Sequence, residues 1–211
     1  MNALSATVGR ETARTRLLDA AIKIVRCKGF AATSVAELCA EAGVTKGAFF
    51  HHFESKDALC AAAASHWSET TGALFQGAPY HAHANPADRV LAYIGFRRAI
   101  LCGPLEEITC YAGTVAQEAY QSDAIRSACA AAIFDHAATL EADVDAALAA
   151  AGRTGEFSAA SLARHTQAVL QGAFILAKAA GDIAPAVESV DHLGRYFALL
   201  LNREWSTDDA R

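Results

Sequence analysis

Apolar residues recur along the chain at intervals of three and four and never settle into strict alternation, so the pattern predicts an all-α protein. It is sharpest between Thr33 and Phe53. Val35, Leu38, Cys39 and Ala42 fall at i, i+3, i+4 and i+7 behind Ser34 and Glu37, which have capping-box spacing. Gly43 follows, a residue that ends a helix in the left-handed region at little steric cost. Thr45 then reads as the N-cap of a second short helix, with Val44 plugging the angle and Phe49 and Phe53 as the inward pair. Lys46, Gly47, Ala48, Phe50, His51 and His52 are left on the outer face. A first helix of about 11–27 precedes the pair, with Leu18, Ala21, Ile22 and Val25 on one face, and Gly29 ends it.

Downstream the helical period hardly stops. Ser55 suits the N-cap of a long helix running through Trp67 toward Phe75, which would tie the first three helices mechanically to the rest. The clearest loop is 77–86, with two prolines and a glycine. Helical segments follow at about 87–102, 105–120, 123–151, 158–180 and 185–202, for about nine helices in all. The residues from Trp205 to Arg211 read as a polar, fraying end. These boundaries divide the chain into an N-terminal head, 1–54, and a larger body, 55–211.

The last two helices bear on assembly. In Val169–Ala177 only Gln171 is polar, and a helix apolar nearly all round needs burial on both sides. Val190, Leu193, Phe197, Leu200 and Leu201 add a second apolar stripe. Both helices could lie within one core; the expectation preferred here is a twofold homodimer through segments 158–180 and 185–202.

Charge changes the picture at the head. The net charge is −5, but residues 1–60 hold eight Lys and Arg against six Asp and Glu, or +2, while 61–211 hold ten against seventeen, or −7. Cation is thus concentrated next to the helix pair, whose exposed face carries a lysine and two histidines and no acid. A pair joined by a short glycine turn can be a plain αα-hairpin with a wet face, but that geometry and charge suit a helix-turn-helix on a polyanion, namely double-stranded DNA.

Other chemistries find little support. No nucleophile elbow, metalloprotease, P-loop or dinucleotide fingerprint is present, so neither an enzyme nor a cofactor is expected. His81 and His83 lack an evident third ligand, so no metal is expected. Glu106, Glu107, Gln117 and Glu118 read as helix-surface polarity. The six cysteines form no C-x-x-C pair and lie in helical patterns, which implies reduced, mostly core thiols. With no apolar leader or spanning run, the expected location is the cytoplasm.

The segment from about Thr12 to Leu59 resembles the N-terminal domain of the TetR family of bacterial transcriptional regulators. Four stretches carry the likeness: Arg16–Ala21, Lys28–Val35, Ala42–Gly47 at the turn, and Phe49–Phe53 with Ser55–Leu59 after it. The resemblance extends the family-type region to about 11–71, including the connecting helix. It implies a ligand-responsive repressor that binds a palindromic operator as a homodimer and is released by a small-molecule inducer. Lys46, Ala48 and His51 would reach base edges, and Thr33, Thr45, Phe50, His52 and Lys56 the backbone, with Ser34 and Gly47 in the same face. The family usually has a phosphate-bonding tyrosine where this chain has Phe50, which removes one positioning contact.

For the inducer pocket, side chains from the middle of the body helices are expected to form the lining: Trp67, Tyr93, Phe96, Ile100, Cys110, Tyr111, Phe134, Phe174 and Lys178. Such a set suits a small or medium apolar ligand with one polar or anionic handle, and Lys178 is the expected partner for that handle. Thr109-Cys110-Tyr111 together with Lys178 also resembles family positions that sense oxidants or electrophiles through one cysteine, an alternative to ligand binding. A scaffold that has lost DNA binding is a more remote alternative.

Overall fold

The computed structural model describes residues 12–206, and these are helical with no strand. The head comprises α1 (Ala13–Lys28), α2 (Val35–Ala42) and α3 (Lys46–His52). Each begins on a side-chain cap: the hydroxyls of Thr12, Ser34 and Thr45 accept from the backbone N–H of Thr15, Glu37 and Ala48. Glu37 completes the capping box and pairs with Lys28, and these contacts hold its carboxyl down to about 2. Gly43 adopts φ 60°, where a side chain would be strained, and so allows the tight turn between α2 and α3. Leu17, Leu18, Val25, Leu38, Phe49 and Phe53 close the small core.

α4 (Lys56–Gln76) starts on Ser55 and runs out of the head without a break. Its Leu59, Cys60, Ala63 and Ala64 belong to the head's core, and its Phe75 to the body's. A 3-10 turn, Pro79–Ala82, leads to α5 (Pro86–Ala99), which Asn85 caps. The body continues with α6 (Leu105–Ile108), α7 (Tyr111–Ala119), α8 (Asp123–Ala138), α9 (Glu141–Ala150), α10 (Ala159–Ala180) and α11 (Ala184–Leu200). α5, α9, α10 and α11 enclose one apolar core; α7 and α8 give Tyr111, Val115, Ile125 and Cys129 to the other.

Two segments expected as single helices are broken. At 105–120 the backbone extends through Thr109 and Cys110, because the Thr109 carbonyl accepts 2.7 Å from Arg26 Nε of α1 instead of continuing the helix. At 123–151 the turn tightens at Thr139, whose hydroxyl donates 2.7 Å to the His136 carbonyl, a back-bond that bends helices. These breaks raise the nine expected helices to eleven among the described residues. A third difference lies at the end of the chain. Trp205 does not fray; its indole packs against Gly194 of α11, where even a Cβ would collide with the ring. Residues 207–211, also expected to fray, and 1–11, read as lacking a leader, lie outside the described residues. No helix among the described residues is long and apolar enough to cross a membrane.

One buried polar chain joins α5, α8 and α10. Gln167 Nε2 donates to the Tyr93 hydroxyl (3.3 Å), so the hydroxyl's own proton goes to His136 Nε2 (3.0 Å). Burial, with the Arg97 cation nearby, pushes the His136 ring down to about 3. The unfolded chain therefore takes up a proton near pH 6.5 that the folded chain refuses until about pH 3, and stability falls as pH drops through that interval. We expect urea unfolding of the wild type to lose up to ~1.4 kcal/mol per pH unit more between pH 6 and 4 than His136→Gln does. Equal slopes would show that His136 titrates alike folded and unfolded.

Candidate DNA-reading face and adjoining cavity

α3 presents the head's outer surface. Phe49 packs inward, Lys46, Gly47, Phe50 and His51 are exposed, and Ala48 and His52 are half-buried. Phe50 is 58% exposed although its ring lies edge-on to Phe49 at 5.1 Å, so a large apolar side chain stands beside the cationic ones. Thr45 spends an acceptor lone pair on the Ala48 N–H at 3.1 Å and keeps its hydroxyl proton for another partner.

Three groups expected at the DNA face are already engaged. Thr33 is buried, and its hydroxyl donates to the Gly29 carbonyl at 2.6 Å, so it cannot reach a phosphate; the loop after α1 folds over it. Ser34 exchanges hydrogen bonds with Glu37 in the capping box. Lys56 Nζ donates to the carbonyls of Phe30 (2.9 Å) and Thr33 (3.0 Å) and sits 4.0 Å from the Phe30 ring centroid. Lys56 is thus first a clamp on the α1–α2 loop, with one N–H left for a phosphate.

Behind the head, where its core meets that of the body, lies a cavity of about 290 Å³. Four of the nine expected lining residues reach it: Trp67, Ile100, Cys110 and Phe174. The other five are elsewhere. Tyr93 is held in the polar chain behind the wall, and Phe96 packs on Phe75 and Tyr80. Tyr111 is sealed in the head-side core, where its hydroxyl donates to the Cys60 carbonyl at 3.1 Å and burial drives its phenol pKa strongly up. Phe134 points outward from α8, 55% exposed. Lys178 instead lines an adjoining hollow of about 220 Å³ that shares Cys110, Gln171 and Phe174 with the cavity, and its ammonium donates to the Thr114 hydroxyl at 3.3 Å. Burial lowers the Lys178 pKa, Glu118 opposes that shift and Arg26 adds to it.

The polar lining that sequence reasoning missed is Arg26, Thr71, Arg97, Glu107, Thr109, His136, Gln167 and Gln171. Arg26 has the least visible signal, because it belongs to α1 of the head. Its guanidinium lies 4.8 Å from the Trp67 ring centroid while Nε holds the Thr109 carbonyl, and burial lowers its pKa against the opposing pull of Cys110, Glu107 and Glu106. Nor is Glu118 idle surface. It rests over Gly29 and accepts from the Ala31 N–H at 2.8 Å, a second tie between body and head.

The cysteines divide differently from expectation. Cys39, Cys60 and Cys129 are buried, and burial pushes the last two thiols up to about 11 and 12. Cys27 and Cys102 are exposed, so they are not core residues, and Cys102 lies outside any helix. Cys110 is the N-cap of α7, its sulfur accepting from the Gly113 N–H at 3.4 Å. The His81 ring bonds the Phe75 carbonyl at 3.0 Å, and no group of three metal-ligating side chains occurs among the described residues.

Comparison with known proteins agrees with this arrangement. Residues 17–63 match the family described as bacterial regulatory proteins, tetR family. The uncharacterised HTH-type transcriptional regulator YerO of Bacillus subtilis is 41% identical over 54 residues, 26% of this chain and 19% of that protein. The HTH-type transcriptional repressor KstR2 of Rhodococcus jostii is 38% identical over 53 residues, 25% of this chain and 26% of its own length. The aligned stretch is therefore the head, about a fifth to a quarter of these relatives. The fold likeness extends further: a TetR-family transcriptional regulator from Agrobacterium tumefaciens superposes with TM-score 0.74 at 21% identity, covering 87% of this chain and 96% of that one. The head thus matches the tetR family of bacterial regulatory proteins in sequence, and most of the chain shares the fold of a solved TetR-family regulator.

Proposed function

We propose that this protein is a ligand-responsive repressor: a homodimer that places α3 of each subunit in successive major grooves of a palindromic operator and is released when a small molecule enters the cavity behind the head. The observation that carries this reading is the outer face of α3, where Lys46, His51 and His52 stand with no acidic side chain among them, on a helix whose caps are all satisfied. Lys46, Ala48 and His51 read base edges; Thr45, His52 and the remaining donor of Lys56 contact the backbone. The family's usual phosphate-bonding tyrosine is absent at Phe50, whose exposed ring instead packs on sugar or a thymine methyl. Operator release follows if the ligand favours a head spacing that no longer fits two half-sites. The division into a head of 1–54 and a body of 55–211 belongs to this reading, with α4 as the rod between them.

The homodimer rests on apolar surface left uncovered on α10 and α11: Ile175 is 49%, Leu176 53%, Tyr196 41% and Leu199 77% exposed. One twofold face can cover all four.

A second reading has Cys110 as the sensor. It is favoured by the placing of that thiol at a helix N-terminus, shared between the cavity and the hollow of Lys178.

Four outcomes are expected. On a duplex selected from a randomised pool, Lys46→Ala and His51→Ala each cost about 1–3 kcal/mol and relax preference at their own base positions. Phe50→Tyr tightens binding to all sequences by about 1 kcal/mol without changing the salt slope; unaltered preference in the first pair would remove α3 from base reading. Leu199→Glu sediments as a monomer with its helical signal intact, and a persisting dimer would place the interface elsewhere. For the second reading, an α,β-unsaturated aldehyde releases the wild type from its duplex and leaves Cys110→Ala bound; equal release would point to exposed Cys27 and Cys102.

A further inference from the structure

The cavity is unbalanced in charge. Two guanidiniums, Arg26 and Arg97, line it against one carboxylate, Glu107, which is exposed. Among the described residues neither arginine has a carboxylate within ion-pair distance, whereas the adjacent Arg98 is doubly held by Asp191 at 2.7 and 3.4 Å. Arg97 rests on the Phe75 ring instead, 4.9 Å from its centroid, and Arg26 on Trp67. Beyond the Nε bond to Thr109, the donor fork of Arg26 has no protein acceptor among the described residues. His136, also on the wall, is neutral at pH 7 and adds no counter-charge.

A separate signal comes from Thr109. It is 1% exposed and lines the same cavity, yet its hydroxyl has no hydrogen-bond partner among the described residues. Buried polar groups are nearly always satisfied, so a donor left open on a cavity wall marks a place where a ligand acceptor belongs. Around these donors the wall is apolar and aromatic, with Trp67, Phe75, Ile100, Ile133 and Phe174. At about 290 Å³ the space is at the small end of ligand sites.

We propose that the cavity takes a small carboxylate with a ring-sized apolar body, its anionic end held by Arg26 and the Thr109 hydroxyl, so that the ligand bonds directly to a residue of the DNA-reading head. The inference rests on the ligand-responsive reading above and names the ligand class and the sensing residue. Carboxylate oxygens match the guanidinium fork, and Arg97 supplies the second cation of the site. Signal transfer needs no long relay. Arg26 lies on the last turn of α1 and also fixes the α6–α7 break through the Thr109 carbonyl. Just beyond that turn come Gly29, under Glu118, and the Phe30 and Thr33 carbonyls clamped by Lys56. A carboxylate drawing the fork away from Trp67 therefore acts on α1 and the loop that carries α2.

The test uses the full-length protein with benzoate and 3-phenylpropanoate, each beside its neutral amide, in calorimetric titration and thermal shift. The better acid binds at least about tenfold tighter than its amide. Arg26→Gln erases that ratio, while Arg26→Lys retains part of it. Thr109→Val, a near-isosteric change on the body side, lowers acid affinity several-fold and keeps the proposal testable should Arg26→Gln misfold. Bound acid weakens the selected duplex in the wild type and not in Arg26→Gln. Acids and amides that bind and release the duplex alike would overturn the carboxylate assignment and leave the ligand-responsive reading intact, as would an acid preference surviving in Arg26→Gln. Binding of neither, by protein that still holds its duplex, would overturn both.

Discussion

The structure depends on α4 being buried in two cores at once. Leu59, Cys60, Ala63 and Ala64 pack with the head helices, α7 and α8; Phe75, further along the same helix, packs with α5 and the body. Small residues in the first half let neighbouring backbones approach, and the Tyr111 hydroxyl reaches the Cys60 carbonyl across that contact. A helix shared in this way cannot tilt without disturbing both cores, because close-packed interiors shift between discrete arrangements rather than deform smoothly. A displacement of α4 within the body would therefore also strain the head helices packed against it.

The seam between the two cores explains the location of the cavity. Trp67 and Ile133 pack with the head-side cluster, Phe75, Leu170 and Phe174 belong to the body-side one, Cys110 packs against both, and the space between them is the part neither fills. Two polar ties join the head to the body close by: Arg26 to the Thr109 carbonyl and the Ala31 N–H to Glu118. Each uses a backbone group in a loop or a helix break, so the irregular geometry there is satisfied by a side chain from the other part.

Much of the head was legible because its signals are local. Ser34 with Glu37, Gly43 and Thr45 lie within a few residues of the groups they satisfy, and the inward pair Phe49 and Phe53 follows from helical spacing alone. Lys56 shows the limit of that reasoning. The family resemblance implied a backbone contact for it, but two carbonyls more than twenty residues away already occupy most of its donors. The cavity was legible only in part, since Tyr93, Tyr111 and Phe134 look alike in an apolar pattern and separate only when neighbouring helices close on some faces and leave others open.

The sequence by itself determined the elements, most of their ends, the outward face of α3 and the head's likeness to tetR-type regulators, since periodicity, capping and turn chemistry act within a few residues. Tertiary structure alone decided the break at Thr109 and Cys110, the clamping of Lys56, the docking of Trp205 and the reach of Arg26 into the cavity. Those features arise from single hydrogen bonds and ring contacts between segments far apart in the chain. No local pattern records which distant carbonyl a guanidinium or ammonium will meet.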